Sequence, residues 1–418
     1  MHDDGRIRAI YRVQTPLPIA QAAEVLAGEQ SSGTFVRVPG ETDALRARFG
    51  ARVDAVVETG AAEVPALPGS RAGRADGHFR EGELTISWPM ENVGQNLPAL
   101  ISMVQGNLYE LSQFSGLKLL RLDLPQAFTS AFAGPQFGVE GTRRLAGVAA
   151  RPMIGTIIKP SIGLSPEQTA ALVRVLVSAG IDFVKDDELM TGPPSSPFAR
   201  RVEAVMCVVN DHADRTGRKP MIAFNCTAEL DELLRNYDTV VAHGGTCAMV
   251  SINTVGLAAV KRLCDRGALA VHAHRNGWGM LTRHPLLGME FSAYETIWRL
   301  VGVDQLHVNG IANKFWEDDD SVVRSIQACL RPMEGLRSIV PVVSSGQTGL
   351  QAPETYRRTQ TTDLLYLAGG GIMAHPDGPA AGVRAIGEAW EAAVAGVPLE
   401  AYAADHAALR AQLANFRK

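Results

Sequence analysis

A strand, a helix and a second strand are predicted within residues 153–188, which have the sequence M-I-G-T-I-I-K-P-S-I-G-L-S-P-E-Q-T-A-A-L-V-R-V-L-V-S-A-G-I-D-F-V-K-D-D-E. Ser165 is a suitable helix cap because its side-chain oxygen can accept a backbone N–H, and Pro166 suits the first helical position. Gly180 favours the end of the helix. Short apolar runs on both sides of such a helix are typical of a parallel βαβ unit.

The same alternation continues toward the C-terminus and predicts eight βα units. The predicted strands are Met153–Pro160, Asp182–Glu188, Pro220–Thr227, Ala248–Asn253, Leu269–Arg275, Gln305–Asn309, Ile339–Ser344 and Leu364–Ala368. Eight units in about 250 residues are what an α/β protein needs to form a (β/α)8, or TIM, barrel, whose catalytic groups lie where the strands end. An open, doubly wound parallel sheet is the structural alternative because it needs a similar pattern.

Residues 1–125 have a different pattern, which predicts a small α+β domain with helices on one face of a mainly antiparallel, ferredoxin-like sheet. Strands are predicted at 6–13, 33–38, 51–58, 83–89 and 117–124, and helices at 18–27 and 96–104. Residues 60–77 are rich in Ala, Gly and Pro and predict a surface loop. Residues 126–147 predict a connector, and residues 148–418 predict the TIM-barrel catalytic domain with C-terminal helices.

The charge balance favours a small-molecule substrate. The chain has 418 residues, with 40 Lys and Arg against 44 Asp and Glu, a net charge of −4. Because no surplus of positive charge is present, we expect neither nucleic acid nor a membrane as partner. No apolar run approaches the roughly 18 residues of a membrane helix, and Asp3 and Asp4 stand where a secretory signal is basic. A cytoplasmic location is therefore predicted.

Lysines and carboxylates end the first two predicted strands. Lys159 lies at the rim of the barrel, where it is either a candidate acid or base or a lysine with its amine in solvent. In the second strand, alternation places Lys185 and Asp187 on one face, and Glu188 can turn inward at the strand end. Two carboxylates suit Mg²⁺, and CO₂ can convert Lys185 to a carbamate, a third anionic ligand. A local lysine–carboxylate salt bridge is the alternative interpretation.

Groups able to hold anions follow the later strands. The fifth and sixth strands end in histidines and an arginine: His272, His274, Arg275 and His307. Arginine suits bidentate phosphate binding and histidine can move a proton, although each ring can also be a satisfied core residue. The seventh and eighth strands end in V-S-S-G (343–346) and G-G-G (369–371), where this barrel usually binds phosphate, although a triple glycine can equally form a turn. A phosphorylated sugar or sugar acid is the implied ligand.

Six motifs occur in order along the chain: G-T-I-I-K-P (155–160), D-F-V-K-D-D-E (182–188), H-A-H-R (272–275), L-H-V-N-G-I-A-N-K (306–314), P-V-V-S-S-G (341–346) and A-G-G-G-I-M-A-H-P (368–376). In these motifs the sequence resembles the large chain of ribulose bisphosphate carboxylase/oxygenase (RuBisCO). The resemblance extends into the N-terminal domain, where E-Q-S-S-G-T-F (29–35) and Q-G-N (105–107) match substrate-contacting segments, so that it covers nearly the whole chain.

The resemblance implies a role for each residue at the predicted barrel mouth. Lys185, as a carbamate, would bind Mg²⁺ with Asp187 and Glu188, and Lys159 would exchange a proton at the reacting carbon. His274 is implied as a further catalytic group. One end of the ligand would be held by Arg275, His307 and Ser344. The phosphate at the other end would be held by Gly346, Gly370, Gly371 and Thr34, with Lys314 closing over it. In this family Glu29, Thr34 and Asn107 reach the site from a partner subunit, which implies a homodimer or a higher assembly of dimers.

Three departures from the carboxylase pattern predict a different reaction. Ser161 replaces the second lysine of the family's K-P-K motif, and Trp278 replaces a histidine after the H-R pair. In the mobile loop Asn313 replaces a glycine and Trp316 replaces an acidic residue. The chain therefore resembles the non-carboxylating RuBisCO-like (form IV) branch, including its 3-oxo-isoapionate-phosphate decarboxylase type.

Two enzymatic hypotheses follow from the retained residues. The first is Mg²⁺-dependent decarboxylation of a phosphorylated 3-oxo sugar acid, which leaves the enediolate that carboxylation would consume. The second is an enolase or isomerase that moves a proton and releases no CO₂. A non-catalytic binding protein is a third interpretation, which the joint retention of Lys185, Asp187 and Glu188 disfavours.

Overall fold

The computed structural model describes residues 4–32, 38–71 and 77–416. Its strands are β1 (Arg6–Thr15), β2 (Arg52–Ala62), β3 (Phe79–Pro89), β4 (Gly116–Asp123), β5 (Met153–Ile157), β6 (Phe183–Lys185), β7 (Met221–Asn225), β8 (Cys247–Ser251), β9 (Ala270–His274), β10 (Leu287–Met289), β11 (Gln305–His307), β12 (Val340–Val343) and β13 (Leu365–Leu367). Its α-helices are α1 (Ile19–Glu29), α2 (Asp43–Phe49), α3 (Leu97–Val104), α4 (Gln126–Thr129), α5 (Gly138–Ala146), α6 (Pro166–Ser178), α7 (Phe198–Thr216), α8 (Leu230–Ala242), α9 (Ile252–Val255), α10 (Leu257–Cys264), α11 (Trp278–Thr282), α12 (Phe291–Val301), α13 (Asp319–Leu330), α14 (Ala352–Thr359), α15 (Gly369–Met373), α16 (Pro379–Ala395), α17 (Leu399–Ala403) and α18 (Ala407–Phe416). Within these ranges no helix has both the length and the apolar character needed to cross a bilayer.

One compact unit of the chain comprises residues up to Ala133 together with Gly277–Leu300. It contains a five-stranded sheet in the order β10-β4-β1-β3-β2, in which β1 runs antiparallel to β3 and β4. Ile7, Ala9, Tyr11 and Val13 alternate along β1 and are fully buried, as a strand with one core face requires. The predicted α+β domain with its mainly antiparallel sheet is thus confirmed.

Two details of this unit differ from the sequence prediction, and a third predicted element falls mostly outside the described residues. The predicted loop at 60–77 begins too early, because β2 continues to Ala62 as an edge strand with mostly exposed residues and therefore no apolar alternation. The predicted strand at 33–38 falls, apart from Val38, outside the described residues. Strand β10, which the domain limits 1–125 and 148–418 did not assign to this sheet, pairs in parallel with β4. Those limits remain a prediction.

The second unit, Gly134–Asn276 with the chain from Val301 onward, is a closed barrel. Its eight parallel strands follow the order β5-β6-β7-β8-β9-β11-β12-β13, so that β13 pairs with β5 and closes the sheet. All eight predicted strands are confirmed and the open doubly wound alternative is wrong. The predicted cap of α6 is also present: Ser165 Oγ accepts the Gln168 N–H at 3.2 Å, and Gly180 has a φ of +83° after the helix.

Helix α5 packs under the barrel at the N-terminal ends of its strands. Ala146 and Val148 belong to one buried cluster with Met153, Met221 and other residues at strand starts. Asp304, which precedes β11 and is 1% exposed, accepts the N–H groups of Phe137 and Gly138 at 2.7 and 2.9 Å. Its other oxygen accepts the Val271 N–H at 2.8 Å. The predicted connector at 126–147 therefore contains α4 and α5, and Asp304 joins α5 to the sheet.

Replacing Asp304 by Asn should lower the free energy of unfolding by about 1–3 kcal/mol, because the amide NH₂ would face a backbone N–H and leave a buried donor unsatisfied. Urea unfolding at pH 8 measures this, since burial raises the Asp304 pKa only to about 6. Asp363→Asn is the matched control. Its carboxylate pairs with Arg143 at 2.8 Å but is half exposed, so the loss should stay below about 1 kcal/mol. Equal losses in both variants would contradict the role of Asp304.

Candidate active site

The end of β6 presents alternating side chains to two environments. Lys185 is 1% exposed and Asp187 is 2% exposed. Asp186 lies on the opposite face, where its Oδ2 accepts from Arg201 Nη2 at 3.1 Å and from the Asn225 N–H at 3.0 Å. Asn225 also donates to the carbonyl oxygens of Asp187 and Glu188, at 3.2 and 3.1 Å. Asp186 and Asn225, neither of them predicted as site residues, thus fix the turn that carries the carboxylates.

Lys185 is surrounded by groups that favour different protonation states. Its Nζ donates to the Asp186 carbonyl oxygen at 2.8 Å and lies 3.6 Å from Glu188 Oε2. Burial lowers the pKa of Lys185, and the carboxylates of Glu188 and Asp187 only partly oppose it. An uncharged amine is the form that attacks CO₂. The environment of Lys185 therefore suits carbamate formation as well as the simple salt bridge.

Lys159 reaches Asp187 from the loop after β5. Its Nζ donates to Asp187 Oδ2 at 2.7 Å and to Ser161 Oγ at 2.8 Å, while its side chain is 42% exposed. Burial raises the Asp187 pKa, but hydrogen bonds from Lys159 and from the Leu189 N–H outweigh it and hold that pKa below its ordinary value. Lys159 is thus a fixed amine with one side open to solvent. Ser161, where the carboxylases have a lysine, helps to hold it.

The acidic groups of this mouth fit a hard divalent cation. Within the described residues, no three His, Cys, Asp or Glu side chains are grouped to hold a metal ion. Asp187 and Glu188 are two carboxylates, and Lys185 can become a third anionic donor as a carbamate. Oxygen donors of this kind suit Mg²⁺, which keeps positions for water or substrate oxygens. His274 Nε2 lies 3.5 Å from Glu188 Oε2, and burial lowers the His274 pKa to about 3.

Two buried histidines form a directional hydrogen-bond chain across β9, β11 and β12. Gln305 Nε2 donates to Met221 Sδ, so its Oε1 faces His272 Nδ1 at 2.8 Å as an acceptor. His272 Nε2 then accepts from His307 Nε2 at 2.9 Å. His307 Nδ1 accepts the Ser344 hydroxyl at 3.0 Å. Each ring is neutral with a defined tautomer, since burial lowers the pKa of both histidines well below the ordinary value.

These two rings predict steep loss of stability in acid. Below pH 6.5 the unfolded chain protonates His272 and His307, whereas the folded chain does not. The free energy of unfolding should therefore fall as the pH falls, by about 1.4 kcal/mol per pH unit for each ring. Urea unfolding between pH 7 and 5 measures this slope. The His272→Gln variant lacks one of the two rings, so its slope should be smaller by about 1.4 kcal/mol per pH unit. An unchanged slope in that variant would contradict the neutral chain.

Glu317 is a site residue that the sequence prediction missed. Its Oε2 accepts from Arg275 Nη2 at 3.0 Å and from Asn309 Nδ2 at 2.5 Å, and its Oε1 accepts from Ser321 Oγ at 2.8 Å. The Arg275 and Glu317 side chains are 5% and 2% exposed. One signal in the sequence could have indicated Glu317. Trp316 replaces an acidic residue of the resembled family, and Glu317 supplies a carboxylate at the next position. Arg275, predicted to hold the ligand, thus has a carboxylate partner of its own.

The loops after β11 and β12 pack against each other at the mouth. The Lys314 N–H donates to the Ser345 carbonyl oxygen at 3.2 Å, and the Lys314 Nζ lies 5.2 Å from the Phe315 ring centre. Positive φ angles occur at Asn309, Ala312 and Ser345, where non-glycine residues rarely adopt them. Residues with such uncommon backbone angles are concentrated at functional sites. Gly346, with a φ of +90°, leaves exposed backbone beside Lys314, and Gly370 is an exposed residue of α15.

The remaining predicted site residues are distributed as follows. Ser344 joins the histidine chain, and Gly371 is a buried residue of α15, the short helix that the triple glycine begins. Glu29 and Asn107 are exposed residues of the other unit, and Thr34 lies outside the described residues. Trp278, one of the three departures from the carboxylase pattern, packs with Phe291 and Tyr294, ring centres 5.9 and 4.5 Å away, within that same unit.

A (β/α)8 barrel whose mouth contains two lysines, two carboxylates and neutral histidines is typical of an enzyme that moves protons. The chain matches two family descriptions: "Ribulose bisphosphate carboxylase large chain, N-terminal domain" over residues 2–128 and "Ribulose bisphosphate carboxylase large chain, catalytic domain" over residues 138–416. It belongs to the RuBisCO large-chain family and is a RuBisCO-like enzyme.

Three known proteins illustrate the similarity. The chain is 51% identical to a 3-oxo-isoapionate-4-phosphate transcarboxylase/hydrolase of Xanthobacter autotrophicus, over 99% of both chains. It is 48% identical to a 3-oxo-isoapionate-4-phosphate decarboxylase of Rhizobium etli, over 98% of both chains. The crystal structure of a rubisco-like protein from Burkholderia fungorum superposes with a TM-score of 0.93 at 45% identity, covering 99% of this chain and 100% of that one.

Proposed function

We propose that this enzyme is a Mg²⁺-dependent decarboxylase of a phosphorylated 3-oxo sugar acid of the 3-oxo-isoapionate-4-phosphate type. The observation that carries the proposal is the 2.7 Å contact of Lys159 with Asp187, next to the buried Lys185 and the partly exposed Glu188. This contact supports the assignment of Lys159 as a proton donor beside the residues that would bind the metal. The 48% identity to a relative named as a decarboxylase supports the substrate class.

The reaction breaks the bond between the carboxylate and the carbon next to the ketone. CO₂ leaves, and the bonding electron pair passes to the ketone oxygen, which forms an enediolate. Lys159 then donates a proton to the carbon that carried the carboxylate. A bound Mg²⁺ would stabilise the negative charge that develops on oxygen. Asp187 orients the Lys159 amine through the 2.7 Å hydrogen bond, and Ser161 holds it from the other side.

The other predicted residues receive binding roles in this proposal. Asp187, Glu188 and carbamylated Lys185 hold Mg²⁺, and His274 lies beside Glu188. Arg275, His307 and Ser344 hold one end of the substrate. The phosphate at the other end is held by Gly346, Gly370, Gly371 and Thr34, with Lys314 closing over it. Retention of these residues in a barrel with the RuBisCO fold supports the assignment.

A transcarboxylase/hydrolase is a second candidate because the 51% identical relative bears that name. The carboxyl carbon of the substrate separates the candidates. With 3-oxo-isoapionate-4-phosphate labelled in the carboxyl group, a decarboxylase releases all label as CO₂. A transcarboxylase/hydrolase retains it in non-volatile acids, and an enolase or isomerase exchanges hydrogen in D₂O without carbon loss. Retention of the label would overturn our proposal.

We further propose a homodimer, or an assembly of dimers, as the functional unit, with Glu29, Thr34 and Asn107 completing the partner's site. The exposure of Glu29 and Asn107 supports this assignment. Inactive Lys185→Met and Asn107→Ala chains, when co-expressed, should form some mixed dimers that contain one intact site. Recovered activity in the mixture, and none in either variant alone, is the expected result. A fully active Asn107→Ala chain would contradict the shared site.

A further inference from the structure

Arg275, which was predicted to hold one end of the ligand, is held by an internal carboxylate. The 3.0 Å contact with Glu317 joins two side chains that are both at least 95% buried. One positive and one negative charge cancel there. A buried pair of this kind presents much less positive field to a ligand than a lone guanidinium does.

Three side chains hold the Glu317 carboxylate in place. It accepts from Asn309 and Ser321 in addition to Arg275, so both of its oxygens have donors. Asn309 reaches it from a backbone with a φ of 65°, and Ser321 reaches it from the first turn of α13. Three donors from three parts of the chain therefore fix the position of this carboxylate beside Arg275.

We infer that Glu317 makes this enzyme selective for substrates with a single phosphate, and that the Arg275 end of the mouth takes an uncharged, hydroxyl-bearing end of the sugar chain. The inference rests on the proposed function and specifies its substrate class. A phosphate dianion that accepted from Arg275 would lie roughly 4–5 Å from the Glu317 carboxylate, because both anions would accept hydrogen bonds from the same guanidinium group. At that separation in a buried site the two anions repel strongly.

A second part of the mouth differs in charge from the Arg275–Glu317 pair. There the open backbone of Gly346 lies beside Lys314, whose Cβ is 3.6 Å from the position that a Gly346 Cβ would take. Backbone N–H groups with a nearby ammonium suit a phosphate. In this inference the phosphorylated end of a sugar binds there, and its hydroxylated end binds at Arg275.

Glu317→Gln is the variant that tests this inference. The amide oxygen can accept from Arg275 and Asn309 in place of Oε2, and the NH₂ group can donate to Ser321 Oγ. Only the negative charge is lost. Glu354→Gln is the matched control, because Glu354 also pairs with an arginine, Arg357, but in an exposed position on α14.

The measurement is the Kd, by titration calorimetry, of two commercial probes that differ by one phosphate: ribulose 5-phosphate and ribulose 1,5-bisphosphate. Wild type and Glu354→Gln should bind the monophosphate at least as tightly as the bisphosphate. Glu317→Gln should bind the bisphosphate with a Kd at least 10-fold lower than that of the wild type. Its Kd for the monophosphate should differ from the wild-type value by less than 3-fold. Tighter binding of the bisphosphate by wild type would overturn the inference, and so would equal probe affinities in wild type and Glu317→Gln.

The wild-type comparison needs no variant to fold. It is also independent of the proposed reaction, because binding is measured without turnover. Release of labelled CO₂ together with a wild-type preference for the bisphosphate would contradict the single-phosphate inference alone. The expected affinities without CO₂ release would contradict the decarboxylase alone.

Discussion

Replacing Lys185 by Met is expected to lower Mg²⁺-dependent kcat/KM by on the order of 10³-fold or more. The thioether cannot form a carbamate, so the metal-binding set loses one of its three anionic donors, and metal stabilisation of transition-state charge is worth several kcal/mol. Methionine has nearly the length of lysine and suits a side chain that is 1% exposed. The fold should therefore be retained, with a free energy of unfolding equal to or above that of the wild type.

Lys261→Met provides the control for this substitution. Lys261 pairs with Asp265 on the partly exposed face of α10, so its loss should change kcat/KM by less than about 2-fold. Steady-state rates at several Mg²⁺ concentrations, together with urea unfolding of each variant, distinguish loss of the metal site from loss of the fold. A Lys185→Met enzyme that keeps its wild-type rate would refute the metal assignment.

Replacing Lys159 by Met should lower kcat by about 10²- to 10⁴-fold, the range typical of a general acid. Lys159 is the amine that Asp187 and Ser161 orient toward the mouth. Without it, only water can protonate the enediolate. The readout is stereochemical: in D₂O the wild type should place deuterium at the decarboxylated carbon in one configuration, and the variant's residual product should contain both.

Ser161→Ala is the matched control for Lys159. Lys159 keeps its 2.7 Å hydrogen bond to Asp187 in that variant, so kcat should fall by less than about 10-fold and the product should remain stereochemically pure. A Lys159→Met enzyme that still delivers deuterium in a single configuration would show that another group is the acid. His274, beside Glu188, would then be the next residue to test.

The barrel could be predicted from the sequence because each of its strands is a short apolar run followed by an amphipathic helix. The errors lie at strand ends: β6 was predicted to reach Glu188 but ends at Lys185. The Asp186 N–H still donates to the Ala223 carbonyl oxygen of β7 at 3.0 Å, but the side chains that follow Lys185 make contacts outside the sheet, Asp186 with Arg201 and Asp187 with Lys159. Such contacts are tertiary and leave no periodic signal in the sequence.

The same reason explains what was missed at the mouth. Glu317 and Arg275 are 42 residues apart, and the loop that brings them together depends on the unusual φ angles of Asn309 and Ala312. Asparagine tolerates a positive φ without requiring it, and alanine disfavours it, so neither angle could be predicted from the sequence. Strand β10 was missed likewise, because three residues carry no alternation and its partner β4 is far away in the chain. Strand alternation predicts that Lys185 and Asp187 share a face, and both side chains are buried.

The proposed magnesium site depends most on carbamylation of Lys185. The direct measurement is the ¹³C NMR spectrum of the purified enzyme with ¹³C-bicarbonate and Mg²⁺. We expect one carbamate carbon per chain that persists in Ser161→Ala and is lost in Lys185→Met. Absence of a carbamate signal from the wild type, or its survival in Lys185→Met, would contradict the assignment.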